Sequence, residues 1–323
     1  MFVGHQKEWQ FLKKLVNKGK IPHAFLFSGK GQIGKKKIAL EFVKLLNCQE
    51  KNKPCQTCRN CQEIEKKTYP DLIFVSPSAV FQERNSDKRI SQKKEGAKEI
   101  QISQIREVNR KISLKPYSAP FKTVIIDKAH LMTRAAQNCF LKTLEEPKGK
   151  AIFILITEYP QTLLATIISR CQILKFSPVP LAEIQKYLLR QGVSEERAKD
   201  ITLLSSGKPG RAIELLDPEK IKEEKDRIKE IELLIDSDLI SRFQYAKEKA
   251  RKLEDLNKIF NSWLKYFRGI LISTVNSSSD LKFKKYSVAK LKNILKLIQK
   301  TNLLISTTNV NPRLALEILM LEL

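Results

Sequence analysis

The sequence predicts an α/β fold, a parallel sheet with helices on both faces, followed by an all-helical second half. Three observations carry this prediction. Apolar runs of strand length alternate with helical patterns through the first half of the 323 residues, the pattern of a sheet covered by helices. A glycine-rich loop, Gly29-Lys30-Gly31-Gln32-Ile33-Gly34-Lys35, joins one such run to a helical segment. Beyond Pro178-Val179-Pro180 the apolar residues recur only at helical spacing.

Taken in order, Ala24–Ser28 is the strand feeding the loop, and Ile38, Phe42, Leu45 and Leu46 share one face of the helix after it. Asp71–Val75 is a second strand. The polar stretch Gln82–Lys98 that follows is expected to be a flexible surface insertion. Ile102, Ile105, Val108 and Ile112 mark an amphipathic helix, and Thr123–Asp127 a buried strand ending in an aspartate. Thr133 is placed to cap the next helix, which must end before Pro147. Ile152–Thr157 and Ile173–Phe176 are the last two strands. The Pro178-Val179-Pro180 break and Asp217-Pro218 then divide the chain into residues 1–178, 179–217 and 218–323. The middle segment carries Ile184, Leu188 and Leu189, then Ala198, Ile201 and Leu204, and, after a Gly-Lys-Pro-Gly turn, Ile213 and Leu216. In the last segment Leu256, Phe260, Trp263, Phe267 and Leu271 form one buried stripe and Leu291, Ile294, Leu295 and Ile298 another, with Asn276–Ser279 a loop between helices.

Lysine and arginine number 60 against 35 acidic residues, a net charge of +25, which favours a polyanionic partner such as nucleic acid. The lysines are scattered, so solvated helix faces account for the charge equally well. The longest apolar run, Ala151–Ile156, is far short of the ~20 residues of a membrane span. The start, Met1-Phe2-Val3-Gly4-His5-Gln6-Lys7, lacks the charged and apolar regions of a signal peptide. A cytoplasmic protein is expected, with its six cysteines as thiols or metal ligands.

The glycine-rich loop follows the P-loop pattern, in which backbone N–H groups and a helix start cradle phosphates and the lysine reaches the outer one. Gly29, Gly31, Gly34 and Lys35 supply that cradle, but Lys36 replaces the Ser or Thr that would ligate magnesium. After Asp127, the metal-side aspartate, Lys128 stands where a water-polarising glutamate belongs. An ammonium has no lone pair to offer a cation. The two lysines predict lost hydrolysis and argue against magnesium-dependent binding of ATP or ADP; the alternative is that other residues take over their roles.

Cys48, Cys55, Cys58 and Cys61 are spaced C-x6-C-x2-C-x2-C, which suits a closed, structural zinc site. An iron–sulfur cluster or free thiols are the alternatives, though in ferredoxin-like sites the fourth cysteine lies downstream rather than upstream. Cys139 reads as a buried core thiol, and His5, His23 and His130 as scattered structural residues. Arg170, taken alone, reads as a surface ion-pair residue.

Several segments together resemble the clamp-loader AAA+ subunits of bacterial DNA polymerase. They are His23–Gly29, the four cysteines, Leu114-Lys115-Pro116-Tyr117, Leu141–Pro147 and Ser169-Arg170-Cys171. The likeness covers residues 1–215 and resumes at Asn311–Glu317, which is similar to the terminal collar helix. It implies an AAA+ core, a small helical lid and a helical collar. The collar would assemble a five-membered ring with gamma/tau and delta subunits, acting on a sliding clamp and primer–template DNA. It further implies zinc at the four cysteines, Thr157 sensing the terminal phosphate and Arg211 as the sensor arginine of the lid. Arg170 would enter the neighbour's ATP site, where a guanidinium offsets charge on the transferring phosphoryl group. Lys36 and Lys128 depart from the pattern and imply a non-hydrolysing, stator type of subunit. The competing readings are an active gamma/tau-type ATPase, which needs a hydroxyl at 36 and an acid at 128, and a zinc-dependent nucleic-acid-binding module.

Overall fold

The computed structural model describes residues 2–77, 99–117, 120–147, 149–250, 253–275, 286–307 and 310–323. The expected Gln82–Lys98 insertion and Asn276–Ser279 loop lie outside the described residues. The chain forms two compact units, residues 1–212 and 213–323.

The first unit opens with α1 (Gln6–Asn17), β1 (Ala24–Ser28), α2 (Lys35–Asn47), α3 (Arg59–Lys66) and β2 (Leu72–Val75). It continues through α4 (Ile102–Ser113), β3 (Lys122–Ile126), α5 (Arg134–Glu145), β4 (Ala151–Thr157), α6 (Ala165–Ser169) and β5 (Gln172–Lys175). Then come α7 (Leu181–Arg190), α8 (Glu195–Ser205) and α9 (Pro209–Glu214), whose last two residues fall in the second unit. The strands form one sheet in the order β2-β3-β4-β1-β5, and every pairing is parallel.

Alternate strand residues sort to opposite faces, as the period of two requires. Phe25 and Phe27 of β1 and Ile152, Ile154 and Ile156 of β4 join a core with Trp9, Leu12, Ile38 and Phe42 from α1 and α2. Leu26, Phe153 and Leu155 point the other way, into a core with Ile105, Val108, Phe140 and Ile167 from α4, α5 and α6. Both faces are covered, which is why these strands read as continuous apolar runs.

One boundary and one burial differ from the sequence expectation. Asp71 precedes β2 rather than belonging to it; both its carboxylate oxygens accept the Tyr117 N–H, at 2.9 and 3.1 Å. Cys139 is half-buried rather than buried, with its sulfur 3.8 Å from Asn109 Nδ2. Thr133 does cap α5, its hydroxyl accepting the Ala136 N–H at 3.2 Å. Thr133→Ala is therefore expected to cost about 1 kcal/mol, visible as a lower urea midpoint at unchanged slope.

The second unit comprises α10 (Pro218–Asp236), α11 (Leu239–Lys249), α12 (Leu253–Val275), α13 (Val288–Thr307) and α14 (Pro312–Glu322). Leu256, Phe260, Trp263 and Phe267 are buried with Leu291, Ile294, Ile298, Leu316 and Leu319. Ile270, not Leu271, continues the buried stripe of α12; Leu271 packs only at its margin. Glu224 is buried but paired with Arg227 at 3.1 Å and Lys265 at 2.8 Å, as a buried carboxylate must be. Among the described residues no helix is long and apolar enough to cross a membrane.

Candidate nucleotide and metal sites

Parallel pairing brings the carboxyl ends of β1, β4 and β3 to one edge, where ligands of open α/β sheets bind. Ser28 is in register with Thr157, and Ile126 with Leu155, so the glycine-rich loop, Thr157 and Asp127 come together there. Gly29 admits no side chain, because a Cβ would lie 2.3 Å from Phe176 O. Gly34 sits at φ 104, which other residues rarely adopt. Lys35, the first residue of α2, is buried and turns its ammonium onto the loop's own carbonyls, Gly29 O and Lys30 O, each at 2.5 Å. Burial lowers its pKa, opposed by the charges of Glu158 and Asp127.

Lys36 Nζ lies 3.1 Å from Asp127 Oδ2, so the two positions that should hold magnesium hold each other. The same ammonium sits 4.5 Å from the centre of the Phe74 ring, and Lys67 Nζ 4.8 Å from it. Burial first, and the charge of Lys36 second, push the Lys67 pKa down. The donor set does not fit a divalent ion: the hydroxyl is missing and an ammonium occupies the carboxylate. Lys128 is exposed, with a left-handed φ of 55, and begins the turn Ala129–Leu131.

That turn returns His130 to the sheet edge, where its Nδ1 shares a hydrogen bond of 3.3 Å with Thr157 Oγ1. The Tyr159 N–H donates to the same hydroxyl at 3.1 Å. Burial holds the His130 pKa below its usual value, against the attraction of Glu158. Arg211 is positioned through its neighbour, since the Gly210 N–H donates to Gln32 O at 2.8 Å. A Cβ on Gly210 would lie 2.8 Å from that oxygen. At the far side of the loop His5 Nε2 bonds Ile33 O at 2.8 Å. The structure thus gathers Gly29, Gly31, Gly34, Lys35, Lys36, Asp127, Thr157 and, beside them, Arg211. It adds His5, His130 and Glu158, which sequence reasoning missed; the only signal was His130 standing three residues after Asp127, one turn back toward the strand end.

Arg170 stands apart, at the end of α6. Its guanidinium bonds Glu145 Oε1 at 2.8 Å and Thr166 O at 3.1 Å and remains partly exposed. Its backbone is held by the Ile167 carbonyl, and Ile167 itself is fully buried.

The four cysteines converge as their spacing suggests. Cys48 caps the C-terminus of α2, Cys58 caps the start of α3, and all four sulfurs lie within 4.8 Å of one another. The Cys58 N–H donates to Cys55 Sγ at 3.2 Å, and the Cys61 N–H to Cys58 Sγ at 3.5 Å. The first of these bonds favours the Cys55 thiolate and brings its pKa down to about 6, while burial raises that of Cys61. Four thiols at this separation, with amide donors on two of them, fit one tetrahedral thiolate-bound ion. Lys44, itself buried, ties the cluster's loop to α2 by bonding Gln56 Oε1 at 2.7 Å, Glu41 Oε1 at 3.0 Å and Glu65 Oε2 at 2.5 Å.

A parallel sheet with a glycine-rich loop after β1, an aspartate after β3, a threonine ending β4 and three short helices behind the loop defines a P-loop core of the AAA+ type. The chain belongs to the family described as DNA polymerase III, delta subunit, whose model matches residues 4–180. It is 34% identical over 220 residues to DNA polymerase III subunit delta′ of Bacillus subtilis, covering 68% of this chain and 61% of that one. It is 31% identical over 200 residues to delta′ of Escherichia coli, covering 61% and 55%. The tau subunit of Salmonella typhimurium is 30% identical over 213 residues, covering 64% and 30%. The match therefore spans less than two thirds of each relative's length.

Proposed function

We propose that this chain is a delta-prime-type subunit of a bacterial clamp loader, a non-hydrolysing stator in a five-membered ring with gamma/tau and delta subunits. In that ring it would help place the sliding clamp on primer–template DNA. The single observation that carries the reading is the 3.1 Å ion pair between Lys36 and Asp127. Hydrolysis needs a cation on that aspartate, and here an ammonium fixed to the chain neutralises it. Lys128, at the position of the polarising acid, cannot accept a proton while charged.

Other features fall in with the reading. Arg170, held at the end of a buried-backed helix and partly exposed, supports a guanidinium offered to a neighbour's ATP site. The clustered Cys48, Cys55, Cys58 and Cys61 support a structural zinc that ties α2 to α3. Residues 1–178, 179–217 and 218–323 serve as core, lid and collar. A net charge of +25 suits work on DNA, whose phosphates attract such a surface, and the cytoplasm as its place. The intact glycines, Lys35 and Thr157 are what favours the alternative, an active gamma/tau-type ATPase.

Calorimetric titration with ATP, with and without magnesium, followed by a hydrolysis assay, separates the two. The expected result is no tightening by magnesium and no turnover. Magnesium-dependent turnover that disappears in Lys35→Ala would return the chain to the motor class.

A further inference from the structure

Glu158 follows the last residue of β4, and the Ser28–Thr157 register delivers it to the glycine-rich loop. A Cβ on Gly31 would stand 2.7 Å from Glu158 Oε1 and 3.0 Å from Oε2. The carboxylate therefore lies against the bare Cα of Gly31, where any side chain at 31 would make it move aside. It also acts on Lys35, the cation that reaches the outer phosphate in loops of this pattern, and it is the first charge opposing the burial of that ammonium. A terminal phosphate and this carboxylate would thus compete for one cation and one face of the loop.

We propose that Glu158 stands at the outer-phosphate position of the loop and makes it select a diphosphate over a triphosphate. The inference rests on reading residues 29–35 as a phosphate cradle. It needs neither magnesium nor the presence or absence of hydrolysis. A diphosphate ends one group short of the carboxylate, whereas a triphosphate brings a second anion beside it, and like charges at such range disfavour one another. Glu158 is exposed at the mouth of the site, so the repulsion is screened by salt.

The test is competition of ADP, ATP and inorganic tripolyphosphate against a fluorescent ADP analogue, in EDTA, on the full chain and on Glu158→Gln. The wild-type chain should prefer ADP by at least fivefold. Glu158→Gln should shrink the preference below twofold by tightening ATP, leaving ADP within twofold of wild type. Tripolyphosphate should follow ATP if the phosphate chain alone is read. Raising the ionic strength should narrow the wild-type preference and leave the variant's unchanged. If the wild type binds neither nucleotide, Glu158→Gln or Glu158→Ala must create measurable ATP binding. An unchanged preference in the variants, or no ATP binding by any of the three proteins, overturns the proposal. Hydrolysis by the wild type would sink the stator reading and leave this one standing.

Discussion

If the chain is the stator proposed above, Arg170→Ala is expected to leave the isolated chain folded and to slow ATP turnover at the adjoining subunit's site by about 10³-fold in the assembled ring, the lower end of what an arginine finger supplies. The first half of that expectation follows from what Arg170 touches. Its partner Glu145 is half-exposed, and the ion pair is a surface one, worth at most about 1 kcal/mol. The backbone of α6 is anchored by Ile167, not by the guanidinium. The second half follows from chemistry. A guanidinium can give Glu145 and Thr166 one N–H each and still has donors for a phosphoryl group. Arg170→Lys should rescue little, because an ammonium cannot hold a carboxylate and a phosphate in one planar fork. The measurement is steady-state ATP hydrolysis by a reconstituted ring with primed DNA and clamp, beside thermal unfolding of the free chain. Turnover equal to wild type, with the ring intact, would remove the trans-acting role.

What could be read without coordinates was whatever a one-dimensional period or spacing encodes. The central strands β1 and β4 were legible because each is buried on both faces, so that Phe25-Leu26-Phe27 and Ile152–Ile156 leave no polar residue to blur the signal. The clustering of the four cysteines was legible because all four come from one short segment, Cys48 to Cys61. The Lys36 and Lys128 departures were legible, but their consequence was not. That Lys36 pairs with Asp127, 91 residues away, depends on β3 reaching the same sheet edge as the loop. Glu158 and His130 were missed for the same reason. Neither belongs to a periodic pattern, and each becomes part of the site only through strand register or a turn of three residues. The stripe of α12 slipped from Leu271 to Ile270 because its last two steps, Trp263 to Phe267 and Phe267 to Leu271, are both of four residues and over-rotate a helix of 3.6 residues per turn.

Cys61→Ser should disrupt the first unit substantially, if the four thiols hold zinc as proposed. The segment from Cys48 to Cys61 is Cys-Gln-Glu-Lys-Asn-Lys-Pro-Cys-Gln-Thr-Cys-Arg-Asn-Cys, and it contains no large apolar side chain to bury. Apart from the metal, what fastens it to α2 is the buried Lys44 with Gln56, Glu41 and Glu65, together with Asn60, whose amide donates to Asn47 O at 2.9 Å. A buried ion pair of that kind specifies geometry better than it stabilises. Structural zinc, by contrast, contributes about 10–16 kcal/mol to small domains that fold around it. Here the sheet folds on its own core, so only part of that figure should appear in global stability. A loss of about 3 kcal/mol, or roughly 6–12 °C in Tm for a unit of this size, is the expected share. The remainder should appear locally, as amide exchange across residues 48–61 rising while the strands stay protected. Metal analysis should fall from one zinc per chain to near zero in Cys61→Ser and stay at one in Cys139→Ser, whose sulfur lies outside the cluster. A chain that carries no metal as purified, with Cys61→Ser as stable as wild type, would reduce the cluster to four neighbouring thiols. Visible absorbance from a bound cluster would replace zinc by iron and sulfide, and the structural role would then have to be argued afresh for a centre that can change its charge.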